Sequence, residues 1–135
     1  MAPASLALRR ALRDGLAGHA PLVEALGGPK IWDEPPRDAS FPYVTLGEAR
    51  VIDWSTGSSS GHEHALTLHV WSRQGGQTEA QVVAGEIISA LEQVPLSPAG
   101  HRLVNLRFAT ADIRREDDGR TFHGVVRFRA VTEPG

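Results

Sequence analysis

Cysteine is absent from all 135 residues, which excludes a disulfide framework, a thiolate zinc site and a cysteine nucleophile. A reducing compartment is permitted. Lysine is nearly missing too, with one residue, Lys30, against thirteen arginines. Neither sign of charge dominates: 14 basic residues face 16 acidic ones for a net charge of −2, so no overall positive field is available to grip nucleic acid. No apolar run approaches the ~20 residues a membrane helix needs, and the N-terminal segment lacks the continuous apolar core of a signal peptide. A soluble domain of cytoplasmic type, without a membrane partner, is the expectation. What remains is a 14.5 kDa chain that is 41% hydrophobic and 22% charged, the make-up and size of one globular core.

Leu8, Leu12 and Leu16 recur at i, i+4 and i+8 between Arg9, Arg10, Arg13 and Asp14, which predicts an amphipathic helix over 5–19. A short apolar stretch, 21–26, continues it until Gly27-Gly28-Pro29 forbids further helix. Ile31 and Trp32 make a brief extended piece before Pro35-Pro36. From about Tyr43 to Asp53 the strand formers Tyr43, Val44, Thr45 and Leu46 predict a strand. Gly57-Ser58-Ser59-Ser60-Gly61 has nothing to pack and is expected to be a mobile loop. Leu66, Leu68 and Val70 then alternate with Thr67, His69 and Trp71 in a strand ending near Ser72-Arg73. Thr78-Glu79-Ala80-Gln81 has capping-box spacing and opens a helix with Val83, Ile87, Leu91 and Val94 on one face, closed by Pro95.

Two strands, about 103–116 and 121–132, flank Asp117-Asp118-Gly119, a hairpin signal. Along the first, Val104, Leu106 and Phe108 are even-numbered while Ala109, Ala111 and Ile113 are odd, so a β-bulge near Ala109 is expected. In the second, Phe122, Val126, Phe128 and Ala130 face one way and His123, Arg127 and Arg129 the other. The order α-β-β-β-α-β-β predicts a single α+β domain over 1–135, with an antiparallel or mixed sheet of about four to five strands and two main helices on one face.

Several clusters carry chemistry on paper. His62 and His64 point to one side of an extended chain and could share a metal. His69 falls on the opposite face, no third ligand is placed, and a solvated loop edge explains the pair as well, so no metal is assigned. The serines at 58–60 lack a nucleophile elbow. Gly75-Gly76 lacks a Walker lysine, and Glu116-Asp117-Asp118 sits where turn chemistry explains it. Arg107, Arg114, Arg127 and Arg129 fit a phosphate-reaching stripe, a solvated protective face or a polar subunit contact. Trp32, Trp54 and Trp71 either cap core ends or mark an interface.

Three segments in order carry a family resemblance: Phe41-Pro42-Tyr43-Val44-Thr45-Leu46-Gly47-Glu48 with its continuation to Asp53; His64-Ala65-Leu66-Thr67-Leu68-His69-Val70-Trp71-Ser72-Arg73 before a Gly-rich turn and helix; and Asp118 through Ala130, including Gly119-Arg120-Thr121-Phe122-His123-Gly124. Nearly the whole chain resembles the tail-terminator, or tail-completion, family of long-tailed phages and phage-like gene transfer agents. The resemblance implies a non-enzymatic virion protein, with no catalytic, cofactor-binding or metal-binding residues to carry over. It implies a homo-hexameric ring at the head-proximal end of the tail, assembled in the bacterial cytoplasm. Such a ring caps the tail tube, stops its growth and meets the head connector or adaptor protein. The tail-tube protein and the tape-measure protein are further implied partners, and DNA passes through without sequence-specific binding. Candidate interface residues are Trp54, Ser58, Ser59, Ser60, His62, Trp71, Arg127 and Arg129, with the 55–61 loop as a docking arm anchored by Trp54 and His62. Two alternatives are a head-to-tail adaptor on the connector and a small pocket hydrolase or isomerase using His69 or His123 as base and Glu48 or Asp53 as acid.

Overall fold

A computed structural model describes residues 2–58, 60–93 and 95–135. Helix α1 (Ala4–Ala17) buries Leu8, Leu12 and Leu16, the stripe seen in the sequence. Helix α2 (Ala20–Leu26) adds Leu22 and Leu26 to the same core and ends at Gly27, whose φ of 77° puts it in the left-handed region that only glycine adopts without strain. Helix α3 (Gln77–Gln93) supplies Val83, Ala84, Ile87 and Leu91. Its start corrects the capping-box expectation. The helix already runs from Gln77, so Thr78 lies inside it and is not the N-cap that the Thr78–Gln81 spacing implies, while Glu79 accepts a 2.6 Å hydrogen bond from the Ser72 hydroxyl, tying helix to sheet. Val94 falls outside the described residues.

Among the described residues five strands form one mixed sheet, β1 (Ile31–Trp32), β2 (Tyr43–Asp53), β3 (His62–Ser72), β4 (His101–Arg115) and β5 (Phe122–Pro134), in the order β1-β2-β3-β5-β4. Only β1 and β2 are parallel. The other pairs are antiparallel, and the helices cover one face. The α+β architecture and element order read from the sequence hold, with the first helical region divided into α1 and α2. Val44, Leu46, Leu66, Leu68, Val70, Val126, Phe128 and Ala130 point into the helix-covered core.

Irregularities in the ladder decide what faces where. The shift between Phe108 and Thr110 leaves Ala109 as the extra residue, the bulge expected from the change of phase. A second shift, between Leu103 and Asn105, turns Val104 outward at 43% exposure, which the alternation alone concealed. A third lies in β2 between Leu46 and Ala49, setting Gly47 and Glu48 against Thr67. No described helix is long and apolar enough to cross a membrane.

Candidate functional site

The sheet face away from the helices carries the polar side chains. Ladder register puts Trp71 opposite His123 and Thr45 opposite His69. The His123 ring stacks on Trp71 at 4.0 Å with the planes 9° apart, and the Trp71 indole N–H donates to Thr45 Oγ1 at 3.1 Å. A line of hydrogen bonds crosses this face. His69 Nδ1 lies 2.7 Å from His123 Nε2, and His123 Nδ1 lies 2.6 Å from Glu116 Oε1. A carboxylate only accepts, so His123 donates through Nδ1; with His123 neutral, its Nε2 accepts from the N–H at His69 Nδ1. The remaining nitrogen, His69 Nε2, is bare and rests on Gly47, where an added Cβ would come within 2.5 Å of it. Glu48, Thr67, Asp112, Arg114, Val125 and Arg127 complete the wall of a cavity of about 320 Å³.

Chemically this is a proton-ordered imidazole pair, and two of the residues weighed as a base in the enzyme alternative do meet. Asp53, weighed as an acid, does not join them: it stands opposite His62 at the far end of β3. Glu48 lines the same cavity as His69 and His123, and the line of hydrogen bonds fixes the orientation of both rings on this face. Burial, then the charges of His123 and Arg127, push the His69 imidazole below the ordinary histidine range against the opposing pull of Glu48.

The loop-edge reading of His62 and His64 is corrected. β3 begins at His62, earlier than the alternation suggested, and His64 is no solvated loop edge: it is fully buried on the helix side. Its Nε2 lies 2.8 Å from Thr132 Oγ1 while Nδ1 has no partner, so the N–H belongs on Nε2 and only a lone pair is left unmet. The His62 ring centroid is 6.3 Å from that of His64, and no cluster of three or more metal-ligating side chains occurs among the described residues. Burial, followed by the charges of His62 and His101, pushes the His64 imidazole down.

A stability prediction follows from His64 and His69. A histidine whose folded pKa is depressed binds its proton more readily unfolded, so its contribution is whole above about pH 6.5 and is lost as pH falls below it. Each imidazole adds a slope of at most about 1.4 kcal/mol per pH unit. Urea midpoints are expected to drop between pH 7.5 and 5.5, and His64→Asn is expected to flatten that drop. A flat profile in the unsubstituted protein contradicts the assignment. Asp118 titrates outside this window: hydrogen bonds from the Thr121 hydroxyl and from the Arg120 and Thr121 amides hold its carboxyl at about 2, which is the turn chemistry expected of the acidic run.

The candidate interface residues spread along the sheet and do not gather in one patch. Trp54, 55% exposed, Ser58 and Ser60 lie beyond β2, beside His62, while Ser59 falls outside the described residues. The base of this loop is tied down. Trp54 N–H donates to the Gly61 carbonyl, and Asp53 Oδ1 accepts from the Ser55 amide at 3.1 Å and hydroxyl at 2.6 Å. Asp53, Trp54, Ser55, Thr56, Ser60 and Glu133 line a cavity of about 390 Å³. Trp71 stands nine residues along β3 from His62, ~30 Å away at strand rise, committed to His123 and Thr45. Arg127 and Arg129 lie between, exposed, on β5. Arg127 is 3.7 Å from Asp112, Arg129 is 3.1 Å from Glu63, Arg114 is 4.0 Å from Glu116, and Arg102 pairs with Glu133. Of the four arginines of the stripe, Arg114, Arg127 and Arg129 stand beside carboxylates and Arg107 is the cross-strand partner of Arg129, so most of its charge is offset and it does not read as a phosphate track.

Sequence reasoning missed Gly47 and Glu116 as parts of this face. The glycine inside a strand pattern was the available signal, since such a glycine marks a bulge or a close approach.

Comparison with known proteins covers the same length of chain. Residues 10–133 match the family described as Tail completion protein gp17. The Tail completion protein gp17 of Bacillus phage SPP1 is 32% identical over 128 residues, spanning 93% of this chain and 92% of that protein. The solved structure of SPP1 gp17 superposes with a TM-score of 0.67 at 30% identity, covering 94% and 89% of the two chains. A chain in the virion of a native gene transfer agent particle superposes with a TM-score of 0.89 at 28% identity, covering 98% of this chain and 99% of that one. The chain therefore belongs to the tail completion protein gp17 family, as a structural tail protein of phage and gene transfer agent virions.

Proposed function

We propose that six copies of the protein form a ring on the head-proximal end of the tail tube, stop tube growth and join the tail to the head connector, with DNA passing through. The observation that carries this is the end-to-end likeness to a virion chain of a gene transfer agent at a TM-score of 0.89, which leaves little of either chain to supply a different activity. The whole of 1–135 acts as one such domain. Six chains of net charge −2, each with six arginines beside carboxylates, make a conduit with no net positive hold on phosphate, and transit needs passage without binding. Trp54 and the serines beyond it serve as the docking arm toward the tube or connector. A large aromatic more than half exposed beside hydroxyls is the composition of an interface core with an adaptable rim.

Reconstruction of particles carrying the protein is expected to show sixfold density for it between tube and connector. Another copy number, or density elsewhere in the tail, overturns the proposal.

A further inference from the structure

Two free edges bound the sheet. One is β4, open along its length. The other belongs to β2, because β1 covers only Val44 and Thr45. Arg9 of α1 closes the next two positions by donating to the carbonyls of Leu46 and Gly47, each at 2.8 Å. Residues 48–53 are left open. Edge strands point half of their backbone N–H and C=O groups outward, a template for another strand.

The two edges match in four respects. Three antiparallel steps separate them, so β2 and β4 run in opposite directions. A second copy set beside the first without being turned over therefore places its β2 antiparallel to the first copy's β4. The level also agrees: Val51, His64, Ala130 and Leu106 form one cross-strand row, and Ala49, Leu66, Phe128 and Phe108 the next. The ends of those rows hold apolar side chains the fold leaves open, Val51 at 40% and Phe108 at 43% exposure.

Length is the third match. Between its two bulges β4 is regular over residues 105–108, four positions, facing a β2 stretch of similar length. The fourth is charge. Residues 101–115 hold four arginines and one aspartate, whereas residues 30–53 hold five carboxylates and three cations. Pairing β4 with another β4 would set arginines against arginines, so charge opposes the two-fold arrangement and favours the heterologous one.

We infer that a second copy of this chain docks its β2 edge, residues 48–53, antiparallel against residues 105–108 of β4, with Ala49 and Val51 meeting Leu106 and Phe108. The contact uses different surfaces on the two partners, so it repeats from copy to copy and closes into a ring when the rotation allows. It rests on the ring reading above and names the surface that builds the ring. A four-residue ladder is a weak contact in isolation, which suits assembly templated by the end of a tube.

The absence of cysteine makes the test clean. Ala49→Cys with Phe108→Cys tests the in-level register, and Val51→Cys with Phe108→Cys a register two residues along. Facing strands bring Cα atoms to within about 5.5 Å, inside disulfide range. After oxidation of assembled particles, one of the two double variants is expected to run as a ladder of multimers on a denaturing, non-reducing gel, while each single variant runs as monomer. Dimers from Phe108→Cys alone mean that β4 meets β4 and overturn the inference. If both double variants form rings visible by reconstruction yet the chains of both stay monomeric after oxidation, the inference is overturned while the ring is left standing. Failure of the ring reading shows independently, as a different copy number in unsubstituted particles.

Discussion

Truncating Phe128 to alanine is expected to lower the free energy of unfolding by about 3 to 5 kcal/mol, while the same change at Phe108 costs about 1 kcal/mol. The two rings touch edge to face, with centroids 5.9 Å apart, and the residues are direct cross-strand partners, so removing either one loses the same ring contact. Burial separates them. Phe128 is 2% exposed on the interior strand β5, packed with Leu66, Ala130 and the helices, and alanine there leaves a cavity. Phe108 stands at the open edge of β4, where water fills the space. A loss of the larger size consumes a good part of the ~5 to 15 kcal/mol that holds a domain together. Denaturant titration of both variants reads the difference; equal losses would mean that β4 is covered and is no free edge. In particles the order reverses, because Phe108→Ala weakens the proposed seam between copies while the subunit itself stays folded.

The parts of this fold legible in the sequence were those set by local patterning. β2 was bounded correctly from Tyr43 to Asp53, because strand formers begin after Pro42 and a Gly-Ser run follows the strand. Ala109 was identified as a bulge because a change in alternation forces one. Val104 escaped because it sits next to apolar residues of the same parity, and only pairing with β5 shows that it is the extra residue. His64 was misplaced for a different reason. Its polar neighbours His62 and Glu63 continue the composition of the loop, and the partner that makes its burial tolerable, Thr132, lies 68 residues away in sequence. The line from His69 to Glu116 was illegible in the same sense. Three strands must be in register before His69, His123 and Glu116 meet, and nothing in the spacing of those residues announces it. The site followed suit: Trp54 and Trp71 look equivalent as strand-end tryptophans, yet one is open and the other is stacked inside its own chain.

Gly47 joins the local and the non-local parts of the structure, and substituting it is the second large test. Its φ is not in the left-handed region, so alanine could take up the backbone conformation, and on entropy alone would stabilise the fold by about 0.4 to 1 kcal/mol. Space forbids it. A Cβ would lie 2.5 Å from His69 Nε2, 2.7 Å from its Cδ2 and 3.1 Å from the Thr67 carbonyl oxygen. The imidazole has to swing away, breaking its hydrogen bond to His123 and disturbing its own contact with Trp71, whose centroid is 6.0 Å off. The expected cost of Gly47→Ala is about 1 to 3 kcal/mol, the range for overpacking a closed site. In a His69→Ala background most of that cost is expected to vanish, because the ring that collides is gone and only the Thr67 carbonyl must give by a few tenths of an ångström. The difference between the two backgrounds is a coupling energy, and contact between the two sites is what produces it. If Gly47→Ala costs as much without the ring as with it, the backbone and not His69 demands glycine, and the bulge in β2 would then be built by chain geometry alone.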